Sequence, residues 1–332
     1  MGRIRRKFRQ KALSEKELHA LETSALGYPL VKHDDFKDGF LFTHEAGHDV
    51  FRSFTPENIR ITPGKEITLP NAERKTPSYT LEITDTDGNL HILKDRVAIA
   101  GIGSNSSQKV LARKFHHFKS EDDTPLVVCV IPATLEDHAV VHGAFVGARG
   151  PVPATIHEDK GTIATITVGF YDAKAANHIT GTEPNYDGLL LDTPAVLQNG
   201  VKIPQPLAYV AVWGALQDPQ NPDRPLALAA IPAQTSLAFM SNQEALIEAI
   251  RISDHIDLAP APKDIKDKAM RRYIRENFQD EQQRIKRIKS LQNHSIPANI
   301  RGKRVFAASF AKNPQVAALL QHHKIPQKHP KR

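Results

Sequence analysis

The alternation of apolar and polar residues predicts β-strands along the middle of the chain. Tyr79, Leu81 and Ile83 alternate with polar neighbours, which is the two-residue period of a strand with one buried face. The turn-forming residues 86–89 follow, and they predict a hairpin whose second strand covers 90–93. Short apolar runs predict further strands, at residues 97–100, 126–131, 139–145, 162–169, 208–215 and 225–231.

Two capping boxes predict where helices begin. In each, a serine is followed three residues later by a glutamate, Ser14 by Glu17 and Ser241 by Glu244, so that the side chains satisfy free N–H groups of the first turn. Further helices are predicted after Ser106 or Ser107, over 173–180 and over 263–292. Helices and mixed strands together predict the α+β class.

Composition divides the chain into three parts. Residues 1–95 are an N-terminal extension whose role the sequence does not indicate, and residues 96–258 hold most of the predicted strands. Residues 259–332 form a basic helical tail, whose last residues are predicted to be disordered. Residues 261–332 contain 18 Lys and Arg against 5 Asp and Glu, whereas residues 1–260 contain 26 against 32. The net charge of +7 therefore originates in the tail.

The basic tail has two interpretations. It can be a solvated helix that packs on the acidic body of the protein, or it can bind nucleic acid or another acidic partner weakly through residues 261–332. Aromatic side chains for base stacking are few, namely Tyr273, Phe278, Phe306 and Phe310, and the first two also fit the apolar stripe of the predicted helix. This composition favours the packed helix.

The remaining composition indicates a soluble, cytoplasmic protein. Apolar residues make up 40% of the 332 residues, and no apolar run is long enough for a membrane helix. The basic N-terminus is not followed by the apolar core of a secretion signal. Cys129 is the only cysteine, which excludes an internal disulfide and a cysteine-based zinc site. No membrane partner is expected.

A predicted strand that ends in Gly-x-Gly-Ser-Asn and enters a helix is the first candidate for chemistry. Gly103, Ser104 and Asn105 lie at this junction, where glycine lets the backbone approach a ligand and free N–H groups bind an anion. Ser106 replaces the third glycine of a dinucleotide-binding fingerprint, and the Gly-Lys-Ser/Thr of a phosphate loop is absent, so no cofactor is expected. A plain strand-to-helix turn is the alternative.

Downstream motifs extend this pattern. The loop is followed by Arg149, by Pro153-Ala154-Thr155-Ile156, and then by a predicted helix that leads to Glu183 and Tyr186. In the order and spacing of these motifs, residues 97–190 resemble the gamma-glutamylcyclotransferase-like superfamily, which has a glycine-serine-asparagine loop and a later glutamate and tyrosine.

The resemblance implies a fold, a reaction and a site. The fold is a small mixed β-barrel with flanking helices and a central cavity. In the reaction, the α-amine of a small γ-glutamyl amide attacks its own γ-carbonyl, which forms 5-oxoproline and releases an amine, so the enzyme class is transferase or lyase. Glu183 is the implied catalytic base. The implied substrate-binding residues are Gly103, Ser104, Asn105, Arg149 and Tyr186.

The chain departs from the family at two places. Ile102 stands where the family has a tyrosine, which removes a hydroxyl from the edge of the cavity. Tyr186 follows Glu183 by three positions, a shorter spacing than the family usually has. Both departures are compatible with a changed substrate. They are also compatible with a second class of function, a ligand-binding module that keeps the cavity without catalysis and recruits a partner through the tail.

A separate motif near the N-terminus matches that of zinc metalloproteases. His44-Glu45-Ala46-Gly47-His48 has the His-Glu-x-x-His spacing, which on a helix places His44 and His48 on one face for zinc, with Glu45 as general base. Asp49 follows where such proteases have an uncharged residue, and no third ligand appears at a recognisable spacing. The alternative to this zinc site is a surface segment without metal.

Overall fold

The structure is a computed structural model that describes residues 13–31, 36–45, 48–118 and 125–312. The basic N-terminus and the predicted disorder at the end of the tail lie outside the described residues. In the part of the chain that is described, no helix is long and apolar enough to cross a membrane.

Helices and strands both form, which confirms the α+β class. Within the described residues the helices are α1 Glu15–Leu26, α2 Gln108–Phe115, α3 Ala173–Gly181, α4 Asn242–Asp254, α5 Lys263–Gln279 and α6 Glu281–Gln292. The strands are β1 Gly39–Glu45, β2 His48–Phe54, β3 Ile59–Pro63, β4 Tyr79–Thr84, β5 Leu90–Gly101, β6 Leu126–His142, β7 Ala154–Tyr171, β8 Tyr186–Leu191, β9 Ala195–Leu197, β10 Lys202–Ile203, β11 Leu207–Ala211, β12 Ala215–Asp218, β13 Asn221–Pro225, β14 Ala227–Leu228, β15 Ala233–Gln234, β16 Phe239–Met240, β17 Ser295–Ile296 and β18 Gly302–Phe306. Both predicted capping boxes are confirmed, at the starts of α1 and α4.

A large mixed sheet carries the fold. Its main path runs β10-β9-β6-β7-β5-β11-β8-β18, and further strands branch from it. β5 lies in the interior of the path, antiparallel to β7 and parallel to β11. The end strands β10 and β18 do not pair with each other within the described residues, so the path stays open where the family resemblance implies a barrel. The gamma-glutamylcyclotransferase type of fold therefore stays a prediction.

The central strands are longer than the apolar runs predict. β6 joins two predicted strands into one strand of 17 residues, and β7 has 18 residues. Asp137 accommodates the interruption in β6, since it has a φ of 56° beside a shift of register against β7. Such a bulge lets a strand continue through residues that break the alternation. β5 likewise joins 90–93 to 97–100, with Asp95 at a φ of 54°.

The N-terminal extension takes part in the same sheet. β1 pairs with β6, and β4 pairs with β5. The boundary predicted after residue 95 falls inside β5. Glu22 of α1 is buried and pairs with Arg271 and Arg275 of α5. The extension is thus bonded both to the central strands and to the tail.

The helical tail is divided and packs on the body. The helix predicted over 263–292 is two helices, because Asp280 ends α5 and its side chain caps α6 by accepting a hydrogen bond from the N–H of Gln283. Arg287 of α6 is buried and pairs with Asp254 of α4 at 2.5 Å. These contacts are those of a helix packed on an acidic body, and nucleic-acid or partner binding stays a prediction.

Candidate functional site

A cavity of about 440 Å³ lies between α1, the loop after β5, the end of α2 and the loop that precedes β7. All the residues predicted for the site line this cavity, namely Gly103, Ser104, Asn105, Arg149, Glu183 and Tyr186. Strand direction explains why distant segments meet here. β11 is parallel to β5 and antiparallel to β8, so the end of β5 and the start of β8 lie at the same edge of the sheet.

The Glu183 carboxylate is bonded to the glycine loop. Glu183 follows the end of α3, and its backbone N–H donates to the carbonyl of Thr180 at 3.0 Å. The side-chain amide of Asn105 donates to Glu183 Oε1 at 3.1 Å. Lys114 Nζ lies 2.5 Å from the same oxygen and donates to Asn105 Oδ1 at 2.6 Å. Glutamate, lysine and asparagine therefore form a closed triangle in the cavity wall.

The second oxygen of Glu183 is unengaged. Asn105 and Lys114 both bond to Oε1, and the hydroxyl of Thr182 lies 3.5 Å from that atom, at the outer limit of a hydrogen bond. Among the described residues, no donor is hydrogen-bonded to Oε2. The side chain keeps 14% of its surface exposed. One carboxylate oxygen can thus accept a proton or a hydrogen bond from a ligand.

Hydrogen bonds of Ser106 to β5 and β7 hold the glycine loop in place. The hydroxyl of Ser106 donates to the carbonyl of Gly101 at 3.0 Å and accepts from Thr167 Oγ1 at 3.0 Å. A Cβ on Gly101 would lie 2.4 Å from Thr167 Oγ1, so this position requires glycine. Within the described residues, no acceptor is bonded to the backbone N–H groups of residues 103–105. These groups are available to an anionic or carbonyl oxygen.

Two tyrosines are hydrogen-bonded to the backbone of Ala154, beside the glycine loop. The N–H of Ala154 donates to Tyr28 Oη at 2.8 Å, and Tyr186 Oη donates to the carbonyl of Ala154 at 2.9 Å. Burial raises the pKa of Tyr28 and of Tyr186, so both stay neutral. A Cβ on Gly103 would lie 3.1 Å from Tyr28 Oη. The hydroxyl hydrogen of Tyr28 has no acceptor among the described residues, which leaves it for a ligand.

Two arginines complete the charged part of the wall. Arg149 is exposed and has no ion-pair partner among the described residues. Arg113, in the last turn of α2, donates to Ser24 Oγ of α1 at 3.4 Å. Desolvation by the cavity wall, followed by the positive charge of Arg149, lowers the pKa of Arg113. Both arginines thus contribute positive charge to the wall of the same cavity.

The residues of the zinc motif do not lie on the helix that a His-Glu-x-x-His zinc site requires. His44 and Glu45 lie in β1 and His48 lies in β2, while Ala46 and Gly47 fall outside the described residues. The hairpin register pairs His44 with Asp49 and Glu45 with His48, so the two histidines are on opposite faces. His44 Nδ1 lies 2.7 Å from Asp49 Oδ1. Where the chain is described, no group of three potential ligands is arranged to hold a metal ion.

Sequence reasoning did not identify Lys114, Tyr28 and Arg113 as residues of the cavity. Lys114 had a signal, because Val110 and Leu111 of α2 are buried and Lys114 follows them at helical spacing on the same face. A cation on the apolar face of a helix indicates a buried partner. Tyr28 had no comparable signal, since it lies in the extension and reaches the cavity only through the tertiary fold.

Comparison of the chain with protein-family models, with curated proteins and with solved structures finds no match.

Proposed function

We propose that the protein is a gamma-glutamylcyclotransferase-like enzyme that converts a small γ-glutamyl amide to 5-oxoproline and an amine. The observation that carries this proposal is the 3.1 Å hydrogen bond from Asn105 to Glu183. It joins a proton acceptor to a loop whose N–H groups are free, in one cavity large enough for a small molecule.

Each group has a defined task in the proposed reaction. The N–H groups at Gly103, Ser104 and Asn105 receive the γ-carbonyl oxygen, which becomes an oxyanion when the substrate's own α-amine attacks the carbonyl carbon. Glu183 Oε2 accepts the proton that the attacking nitrogen loses. Collapse of the intermediate breaks the bond to the leaving nitrogen, which takes the proton from Glu183. The cavity holds the substrate folded, so that amine and carbonyl meet.

Tyr28 supports the same reading of the site. The resemblance places a tyrosine hydroxyl at the position of Ile102, and this chain lacks it. The hydroxyl of Tyr28, from the N-terminal extension, lies against Gly103 and has a hydrogen to donate. We propose that Tyr28 supplies the missing donor, which gives the extension a role in substrate binding.

Lys114 favours the second candidate, a ligand-binding module without catalysis. Its ammonium group lies 2.5 Å from Glu183 Oε1 and neutralises the carboxylate that would serve as base. In this alternative the triangle of Lys114, Asn105 and Glu183 is a rigid part of the binding surface. Activity measurements distinguish the two candidates.

The test is release of 5-oxoproline from a panel of γ-glutamyl amines by the wild type, by Glu183→Gln and by a control, Glu82→Gln. Glu82 lies on β4 outside the cavity, and its side chain is 48% exposed. Loss of a general base lowers the rate by roughly 10²- to 10⁴-fold. The rate of Glu183→Gln should therefore fall by at least about a hundredfold, while the control keeps its rate. Equal rates in wild type and Glu183→Gln would remove Glu183 from the mechanism. No turnover of any panel member by the wild type would favour the binding module.

A further inference from the structure

We propose that Arg113 and Arg149 form an anion subsite in the cavity, and that the ligand carries a phosphate-like dianion in addition to the group that meets Glu183. The inference rests on the proposed function in one respect only, that the cavity is the ligand site. It does not depend on cyclisation.

The first argument is the balance of charge. The charged side chains in the described wall are Arg113, Lys114, Arg149 and Glu183. Lys114 and Glu183 neutralise each other through their ion pair. The two arginines are left with no carboxylate partner in the described residues, and they add two positive charges to one concave surface. Two positive charges in the wall of one cavity attract an anion that carries two negative charges.

The second argument is that the backbone of Arg149 is held in place. The N–H of Gly147 donates to the carbonyl of Pro151 at 2.9 Å, and the N–H of Gly150 donates to the carbonyl of Gly147 at 2.8 Å. Gly150 has a φ of 96°, and a Cβ there would lie 2.7 Å from Ile274 Cγ2 of α5. Only glycine fits this contact, so the loop that presents Arg149 is packed tightly on a helix.

The third argument is the placement of Arg113. Arg113 and Lys114 are consecutive residues in the last turn of α2, and both line the cavity. Lys114 turns to Glu183, whereas Arg113 turns to Ser24 on α1, so the two cations serve different parts of the wall. Arg113 thus faces the part of the cavity that lies toward α1.

The chemistry of the guanidinium group identifies the class of ligand. Its planar array of donors binds the oxygens of a carboxylate or a phosphate in pairs. A carboxylate carries one negative charge and would leave one arginine unbalanced. A phosphate monoester carries about 1.5 to 2 negative charges at neutral pH and balances both arginines. The balance of charge therefore favours phosphate over a carboxylate.

The experiment titrates the full chain with inorganic phosphate and, in parallel, with acetate, and measures binding by ³¹P and ¹H NMR line broadening at low ionic strength. Arg113→Gln/Arg149→Gln removes the subsite. Arg60→Gln/Arg301→Gln is the matched control, because it removes two charges from side chains that are 75% and 67% exposed outside the cavity. We expect phosphate to bind the wild type more tightly than acetate. The subsite variant should bind phosphate roughly tenfold or more weakly, while the control binds it like the wild type.

Three results would overturn the inference: equal binding of acetate and phosphate, unchanged phosphate binding in the subsite variant, or an equal loss in the control. Glu183→Gln separates this outcome from that of the proposed function, because it should still bind phosphate. If no γ-glutamyl amine is cyclised but phosphate binding depends on the arginines, the reaction is refuted and the subsite stands. If cyclisation depends on Glu183 but the subsite variant binds phosphate like the wild type, the subsite alone is refuted.

Discussion

Replacing Lys114 and Glu183 singly and together measures the strength of the ion pair in the cavity wall. Lys114→Met removes the ammonium but keeps most of the aliphatic chain, and Glu183→Gln removes the charge but keeps the shape. The double variant removes the interaction without leaving either charge unpaired. The difference between the double variant and the sum of the single variants gives the coupling free energy of the pair.

The structure sets the expected size of this coupling. The Nζ to Oε1 distance is 2.5 Å, and each side chain keeps only 14% of its surface exposed. Loss of one partner from a fully buried pair costs about 3–5 kcal/mol, whereas fully exposed pairs contribute about 0–1 kcal/mol. Because this pair is mostly buried and is also bonded to Asn105, we expect a coupling of about 1–3 kcal/mol.

Urea unfolding provides the assay, with a probe beside the site. Trp213 is the only tryptophan, it is buried, and its Nε1 donates to Asn185 Oδ1 at 3.1 Å. Its fluorescence should therefore report loss of the local structure, and far-UV circular dichroism checks that the whole fold unfolds with it. The exposed pair of Arg60 and Glu82, 3.9 Å apart, is the control cycle. A coupling below about 0.5 kcal/mol for Lys114 and Glu183 would refute the argument that the pair is a rigid part of the wall.

Two further predictions concern the loops and the acid stability of the fold. Gly150→Ala should lower the free energy of unfolding by about 2–4 kcal/mol, because it combines a φ of 96° with a Cβ placed 2.7 Å from Ile274. Gly161→Ala, with a φ of 84° but no atom within 4 Å, should cost only about 1–2 kcal/mol in the same denaturation assay, and equal costs would contradict the steric argument. The hydrogen bond with His91, assisted by those from neighbouring N–H groups, lowers the pKa of Asp85. Asp85 should therefore stabilise the fold above the ordinary carboxyl pKa, and this contribution should be lost as the pH falls below it. Between pH 5 and pH 2, the free energy of unfolding should then decrease less with falling pH for Asp85→Asn than for the wild type. The same pH dependence in both proteins would exclude this role.

Local patterns in the sequence were sufficient to predict those features whose hydrogen bonds lie within one short segment. The capping boxes at Ser14 and Ser241 form as predicted, because each serine and its glutamate are three residues apart on the same turn. The alternation from Tyr79 onward forms β4, and the strand before Gly103 leads into a helix as expected. These features depend on hydrogen bonds and side-chain periods that short stretches of chain already contain.

Tertiary structure decided the features that depend on residues far apart in the sequence. His44 and His48 have the spacing of a helical zinc pair, but pairing of β1 with β6 holds the segment in a hairpin. Lys114 and Tyr28 enter the cavity only because α2 and the N-terminal extension pack around the end of β5. The partners of such side chains are chosen by strand direction and packing, and no local period in the sequence encodes them.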